Sequence, residues 1–481
     1  MPRLNFAWDV GGKGSLVVRA GAGLFYNRVQ GNYDYYSSGQ PPNTYSAKFD
    51  TWSGSKGNGL SFGDLGKLDP FAGIAQISIT SRSTDSNNIP RVANMSLTIE
   101  KRLPSNNIFT VAYVGTQGRH LPQQRQINFV PLGAMLNGTV GNANLSDPTQ
   151  RVSLDSSVVR QFKPFSAYNS IGTYQFTGTS SYHSLQTTLS RQTGKLNYFV
   201  TYTFSKALGT VATNESDGSA WADPIDTRGR SWGVLPFDRT HVFNVSYNYY
   251  FPDLARGAID KKFMRGLLNG WQMSGITTFQ SGTPVRLRFA GDIASTNMAI
   301  AWYGSDAYGS GNASGNSTAS AGAISPIYLK NPTIGSKDLG GKIWDINALA
   351  IPGFGQSGPS QPPFYMRFPS RSNFDVSFFK NFKISEAKSF QFRSGFFNIF
   401  NQAYPSQYDP TNASNSDINF TLMTVCNRKI NHVPDGIGGF KDNVCDPTGG
   451  FHFDDNTVKH FGEITNKRGH RIVELALKFT F

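Results

Sequence analysis

Cysteine is nearly missing from this chain. It occurs twice in 481 residues, at Cys426 and Cys445, and no CxxC or HExxH spacing marks a zinc site. Long apolar runs are missing too. No stretch approaches the roughly 20 apolar residues that a membrane helix requires. The opening residues, MPRLNFAWDV, lack the basic start, apolar core and cleavage site of a secretory leader. Charge is scarce at 16%, against about 25% in an average soluble domain. Helical periodicity is absent over any useful length. Taken alone, the missing apolar runs and leader suggest a cytosolic protein.

What is present argues otherwise. Aromatic residues make up 13% of the chain, with 37 Phe and 20 Tyr, and there are 50 Gly. Low charge with abundant aromatics and glycine fits a membrane β-barrel, whose alternating strands hide their apolar residues from hydropathy averages. The net charge is +14. Lys and Arg are nevertheless scattered singly, beyond pairs such as Lys261–Lys262, which disfavours nucleic acid as a partner. Anionic lipid headgroups or an anionic solute suit the charge better.

Period-two alternation recurs along the chain. Leu4, Phe6, Trp8 and Val10 interleave with Asn5, Ala7 and Asp9, and the turn GGKG (11–14) follows. Leu196, Tyr198, Val200, Tyr202 and Phe204 alternate with Asn197, Thr201, Thr203 and Ser205. The reading gives eleven strands: 3–10, 15–26, 91–103, 108–116, 181–192, 196–206, 240–251, 270–281, 373–384, 389–400 and 468–481. Connections alternate strictly between short or medium (11–14, 104–107, 193–195, 252–269, 385–388) and long (27–90, 117–180, 207–239, 290–372, 401–467). Outer-membrane barrels connect strands this way, with short periplasmic turns and long extracellular loops. The fold class expected is therefore all-β, an antiparallel transmembrane barrel portion. The long loops read as surface material. Within them 309–322 is low-complexity, and IGTYQFTG (171–178) reads as a small hairpin above the membrane.

Eleven is odd. It puts the C-terminus in the periplasm and the N-terminus outside, whereas a complete single-chain barrel keeps both ends on one side. Plugged transporters have about 22 strands. The expectation is about half of such a barrel, with strands 3–10 and 468–481 at two open edges and a missing N-terminal half as the partner that completes it.

Several segments resemble the barrel of Oar-like TonB-dependent outer-membrane receptors. They are PRLNFAWDV…SLVVRAGAGLFYNR, SYHSLQTTLSRQ, FVTYTFSKAL, FDRTHVFNVSYNYYFP, GWQMSGITTFQSGTPV and NFDVSFFKNFKI…FQFRSGFFNIFNQ, in the family's order. The resemblance implies that residues 1–481 are the C-terminal portion of one barrel domain, with the plug and N-terminal domains absent. It implies outer-membrane lipid and a periplasmic energy-coupling protein as partners, the latter reached through the missing plug. It also implies that the terminal Phe481 is the signal read by the barrel-insertion machinery. A surface barrel that displays its loops, without transport, is the alternative.

Chemistry-bearing residues are few. Cys426 and Cys445 have eighteen residues between them in one long loop. They read as a loop disulfide, permitted outside the cytoplasm, or as a metal or redox pair. His452, Asp454, Asp455 and His460 form the densest group of metal-ligand types, but solvated loop residues are the plainer reading. DGSAWADPID (217–226) and DPTGGFHFDD (446–455) lack EF-hand spacing. No GxSxG elbow appears. Arg19, Glu100, Lys383 and Arg393 fall on the lumen-facing parity, and Arg191 lies near a strand end. No catalytic residue, cofactor or metal site is assigned.

Overall fold

The computed structural model describes residues 2–28, 77–83, 88–131, 161–166, 168–210, 228–255, 261–294, 324–353, 355–359, 363–383, 388–405, 417–434 and 438–481, with single positions 31, 35, 38, 133 and 226. The low-complexity stretch 309–322 and residues 217–225 lie outside them. Among the described residues, no helix is long and apolar enough to cross a membrane.

Eleven strands follow one another across a single antiparallel meander. They are β1 Arg3–Asp9, β2 Leu16–Tyr26, β3 Arg91–Leu103, β4 Asn107–Gln126, β5 Tyr168–Arg191, β6 Leu196–Gly209, β7 His241–Tyr250, β8 Trp271–Gln280, β9 Arg371–Lys383, β10 Ser389–Phe397 and β11 Ile472–Thr480. The sheet does not close. β1 and β11 are the two ends of the path.

Register explains why the alternation was readable. Trp8 pairs with Val18, Val18 with Ile99, and Ile99 with Val111. That row continues through Thr187, Tyr202, Phe243 and Phe279. A lower row joins Tyr249, Met273 and Phe378. In β10 and β11, Phe390 faces Phe479 and Phe392 faces Leu477. These side chains lie bare to the surroundings, with Phe204 at 47% and Leu477 at 66% exposure. A soluble fold would not leave so wide an apolar surface uncovered; a bilayer covers it. The opposite face carries Asn5, Ser96, Thr98, Gln186, Thr201, Asn248, Ser274, Asn373 and Glu474. Apolar residues interrupt it in places: Phe199 and Ile276 each stand opposite Ser246, and Phe379 stands between Gln272 and Arg393.

The short turns are built by local chemistry. Gly14 donates its amide to Asp9 Oδ2 at 2.8 Å. In PSNN, Ser105 and Asn106 adopt φ of 61° and 58°, and Asn107 Nδ2 donates to the Pro104 carbonyl at 2.8 Å.

β4 and β5 outrun the membrane. They have 20 and 24 residues, where a tilted spanning strand needs about 9–11. Residues 171–178 are not a separate hairpin. They continue β5, pairing with Leu121–Gln126 of β4 and, in parallel, with the short strand Ile77–Arg82. The alternation of IGTYQFTG is that of one long strand past a register shift at Gly118–Leu121. Inside this projection Phe176 is buried beneath the Arg82 guanidinium, 5.2 Å from its ring centroid.

The principal hydrophobic core lies outside the membrane strands. Val130, Val285, Leu287, Phe289, Ile293, Ile343, Trp344, Met366, Phe368, Ile418, Leu422, Phe461 and Ile464 form it. Three outer loops supply these residues, so their described parts build a folded cap rather than loose surface material. Its frame is a small sheet in which Arg288–Gly291 runs parallel to Thr421–Cys426, which pairs antiparallel with Phe451–Phe453. Trp344 is fully buried, its ring centroid 5.8 Å from Phe368 and 6.0 Å from Phe461. Gly462 has a φ of +74°, and a Cβ there would meet the Trp344 nitrogen at 2.7 Å. Only glycine permits both the backbone angle and the approach.

Candidate functional site

The polar face is laterally cross-linked. Arg19 Nη1 donates to Glu100 Oε2 at 2.9 Å. Gln272 Nε2 donates to Asn248 Oδ1 at 2.7 Å, Gln391 Nε2 to Asn381 Oδ1 at 2.7 Å, and Arg393 Nε to Gln391 Oε1 at 2.5 Å. Arg19, Glu100 and Arg393 thus occupy the lumen-facing parity, held by neighbours on that face. The Lys383 side chain lies outside the described residues, and Arg191 closes a periplasmic turn by donating to the Thr193 carbonyl at 3.2 Å.

At the extracellular end of this face lies a cavity of about 370 Å³. It is lined by Thr278 and Gln280 of β8, Arg371, Asn373 and Asp375 of β9, Phe397 of β10, and Asn398, Tyr404 and His470 beyond the strands. The segment NIFNQ builds one wall. Asn398 and Asn401 both take a φ of 52°, a left-handed conformation that asparagine tolerates. The turn locks itself: the Gln402 amide donates to Asn398 Oδ1 at 2.9 Å, and Asn398 Nδ2 donates to the Gln402 carbonyl at 3.0 Å. Asp375 holds the turn against the sheet, accepting from the Asn398 amide at 2.8 Å and from Asn373 Nδ2 at 2.8 Å. Arg371 donates to Gln280 Oε1 at 3.2 Å and lies 6.0 Å from the Tyr404 ring centroid. The cavity therefore offers one cation, one carboxylate, amides and a phenol ring at the mouth of the lumen. That is a surface for a polar solute.

These lining residues escaped the sequence reading, which assigned no binding site. The available signal was modest: polar residues of lumen parity at the outer ends of consecutive strands, followed by an Asn-rich turn.

An ion pair fastens the cap to the sheet beside the cavity. Asp238, fully buried in its side chain, accepts from the Ala207 amide at 2.5 Å and pairs with Arg367. Arg367 Nη1 also donates to the Gly282 carbonyl at 3.1 Å. Gly282 touches backbone: a Cβ there would lie 1.6 Å from the Phe368 oxygen.

Cys426 and Cys445 sit in the cap with their sulfurs 1.98 Å apart and their Cα atoms 5.7 Å apart, inside the range a disulfide spans. The Cys426 amide donates to Asp292 Oδ2 at 2.9 Å. The sequence's metal-type cluster is dispersed. His452 Nδ1 meets Asn427 Oδ1 at 2.6 Å, Asp454 caps the helix Asp455–His460 by accepting from the Thr457 amide at 2.8 Å, and His460 pairs with Glu463. Phe481, 90% exposed, stacks on Phe479 with centroids 6.0 Å apart.

Solved structures similar to this chain include three bacterial outer-membrane proteins. The outer membrane transporter YddB of Escherichia coli is 9% identical with a TM-score of 0.40, over 83% of this chain and 37% of that one. The ferric enterobactin receptor PfeA of Pseudomonas aeruginosa is 9% identical with a TM-score of 0.37, over 100% and 40%. The ferric-catecholate import receptor Fiu of E. coli K12 is 9% identical with a TM-score of 0.33, over 84% and 31%. The chain thus spans well under half the length of each. No curated protein matches it. The family model described as "Outer membrane beta barrel domain" matches residues 1–470. With an antiparallel meander bare on one face, polar on the other and matched over nearly its whole length, the chain belongs to the outer membrane beta barrel domain family and resides in the bacterial outer membrane.

Proposed function

We propose that this chain is the C-terminal part of the barrel of an Oar-like TonB-dependent receptor that carries a large solute across the outer membrane. The observation that supports this most is the eleven-strand sheet with two free edges, whose polar face ends in a polar cavity under a folded cap. An incomplete sheet of this kind needs further chain to close it, because unpaired strand edges are costly in hydrocarbon. Roughly half of a 22-stranded barrel is supplied here. The rest of the barrel, a plug and a segment touching the periplasmic energy-coupling protein would precede it. Phe481 would serve the insertion machinery. The role assigned is transport or binding, with no catalysis.

The test is peptide mapping and cross-linking of the protein in purified outer membranes. Peptides upstream of Met1, including a plug cross-linked to the energy-coupling protein, are expected. A mature protein beginning at Met1, with β1 paired to β11, would sink the proposal. The folded cap favours the second reading in that event: a surface barrel that displays loops for adhesion or assembly.

A further inference from the structure

The apolar face ends, at its extracellular margin, in side chains that carry nitrogen. Arg91 of β3 stands directly opposite Arg119 of β4. His183 of β5 stands opposite Gly115 and Lys206, and His241 of β7 opposite Phe204. All share the strand parity of Leu97, Leu185 and Phe204, which face lipid. One nitrogen-bearing residue thus comes from each of five neighbouring strands at the outer edge of the hydrocarbon. No Asp or Glu occupies that parity on β3 to β7.

The two histidines are held alike. The Tyr113 hydroxyl lies 2.6 Å from His183 Nδ1, with the rings stacked at 6.0 Å. The Tyr202 hydroxyl lies 2.9 Å from His241 Nδ1, with the rings stacked at 6.2 Å. In the tautomer in which the phenol donates to Nδ1, the ring's proton sits on Nε2 and the imidazole can donate to an anion. Arg119 is braced by the Gly118 carbonyl at 2.9 Å and the Ser180 carbonyl at 3.4 Å. Lys206 leans toward the cap, its ammonium 5.4 Å from the Phe364 ring centroid. Two guanidinium groups directly opposite one another repel. An anion between them removes that cost, and phosphate matches guanidinium forks in geometry.

We propose that this margin binds phosphate groups of the outer-leaflet glycolipid, with Arg91 and Arg119 as the charged clamp and His183 and His241 as flanking donors. The phosphate belongs to a lipid because the site borders the lipid-facing surface and lies away from the lumen.

Native mass spectrometry of the intact protein from outer membranes tests this, with lipid A, dephosphorylated lipid A and inorganic phosphate as probes. Lipid A should be retained and its dephosphorylated form lost. Arg91→Gln and Arg119→Gln should each weaken retention about tenfold, and His183→Phe with His241→Phe should weaken it further. The Arg91→Lys, Arg119→Lys variant should keep most of the binding, and heat-modifiable migration on gels reports whether each variant is folded. Equal retention of the dephosphorylated lipid, or unchanged binding by a folded Gln variant, would overturn the proposal. Displacement by inorganic phosphate at comparable concentration would replace the lipid with a free anion and overturn it equally.

Discussion

Asp238, in the loop just before β7, ties distant parts of the molecule together. It joins the β6 end to Arg367, 129 positions away, and Arg367 is only 14% exposed in its side chain. Replacing Asp238 by Ala strands that guanidinium, which costs roughly 3–5 kcal/mol. The expected result is a lower denaturant midpoint for the folded protein, with Asp238→Asn intermediate; an unchanged midpoint would show that the pair is idle. The partnership was illegible in FDRTH because no local pattern names a partner so distant. Val200 is the opposite case. Its parity alone placed it on the lipid face, and the register puts it between Leu189 and Val245. Val200→Arg should cost about 2–4 kcal/mol near the bilayer midplane. A spin label at Val200 should be open to oxygen and shielded from water-soluble relaxers; strong water access would reverse the assignment of the two faces.

Among elements, the strands were readable and the cap was not. β3 was placed at 91–103 and the structure has it at Arg91–Leu103, since apolar residues every second position need no distant information. The cap uses strands of two to six residues, too short to show a period. Its core gathers Val130, Trp344 and Phe461 from three separate loops. The cavity wall at Asn398–Gln402 was hidden for the same reason, being a turn defined by side-chain hydrogen bonds. Two predictions concern the cap. An alkylated, unreduced sample of the exported protein should show no free thiol at Cys426 or Cys445. Reduction should cost at most about 3 kcal/mol and loosen the cap while leaving the sheet intact; two free thiols before reduction would refute the bond. Burial, and then the neighbouring Tyr365, push the Tyr328 phenol above its ordinary value of 10.0. A folded state that favours the neutral phenol is fully stabilised below that ordinary value and loses the contribution as pH climbs above it. Cap stability should therefore fall in alkali, and Tyr328→Phe should flatten the fall. Identical pH profiles, followed by tryptophan fluorescence, would count against this.

For the whole molecule, the odd strand count was the informative reading. It anticipated a sheet with β1 and β11 at opposite edges, which is the observed order. Cysteines placed at Phe6 and Leu475 in the intact protein should fail to cross-link under oxidation. An efficient bond between them would mean that these two edges meet, and the chain would then close on itself. What completes the sheet was not legible, because an edge records only that a neighbour is required.

The meander and the cap also differ in when they can form. Every sheet neighbour on the main path is the next strand in sequence, so each hairpin can add to the last across a connection of its own. The cap's parallel pairing joins residues 288–291 to 421–424, and its bond from the Ile293 amide to Thr424 Oγ1 spans 131 positions. Closing so long a loop costs entropy before any contact repays it. That cost falls sharply once β9 and β10, which lie between the two segments, are already fixed in the sheet. Loop-closure entropy alone therefore favours raising the wall before the lid over its mouth is drawn shut by the strands the wall has anchored.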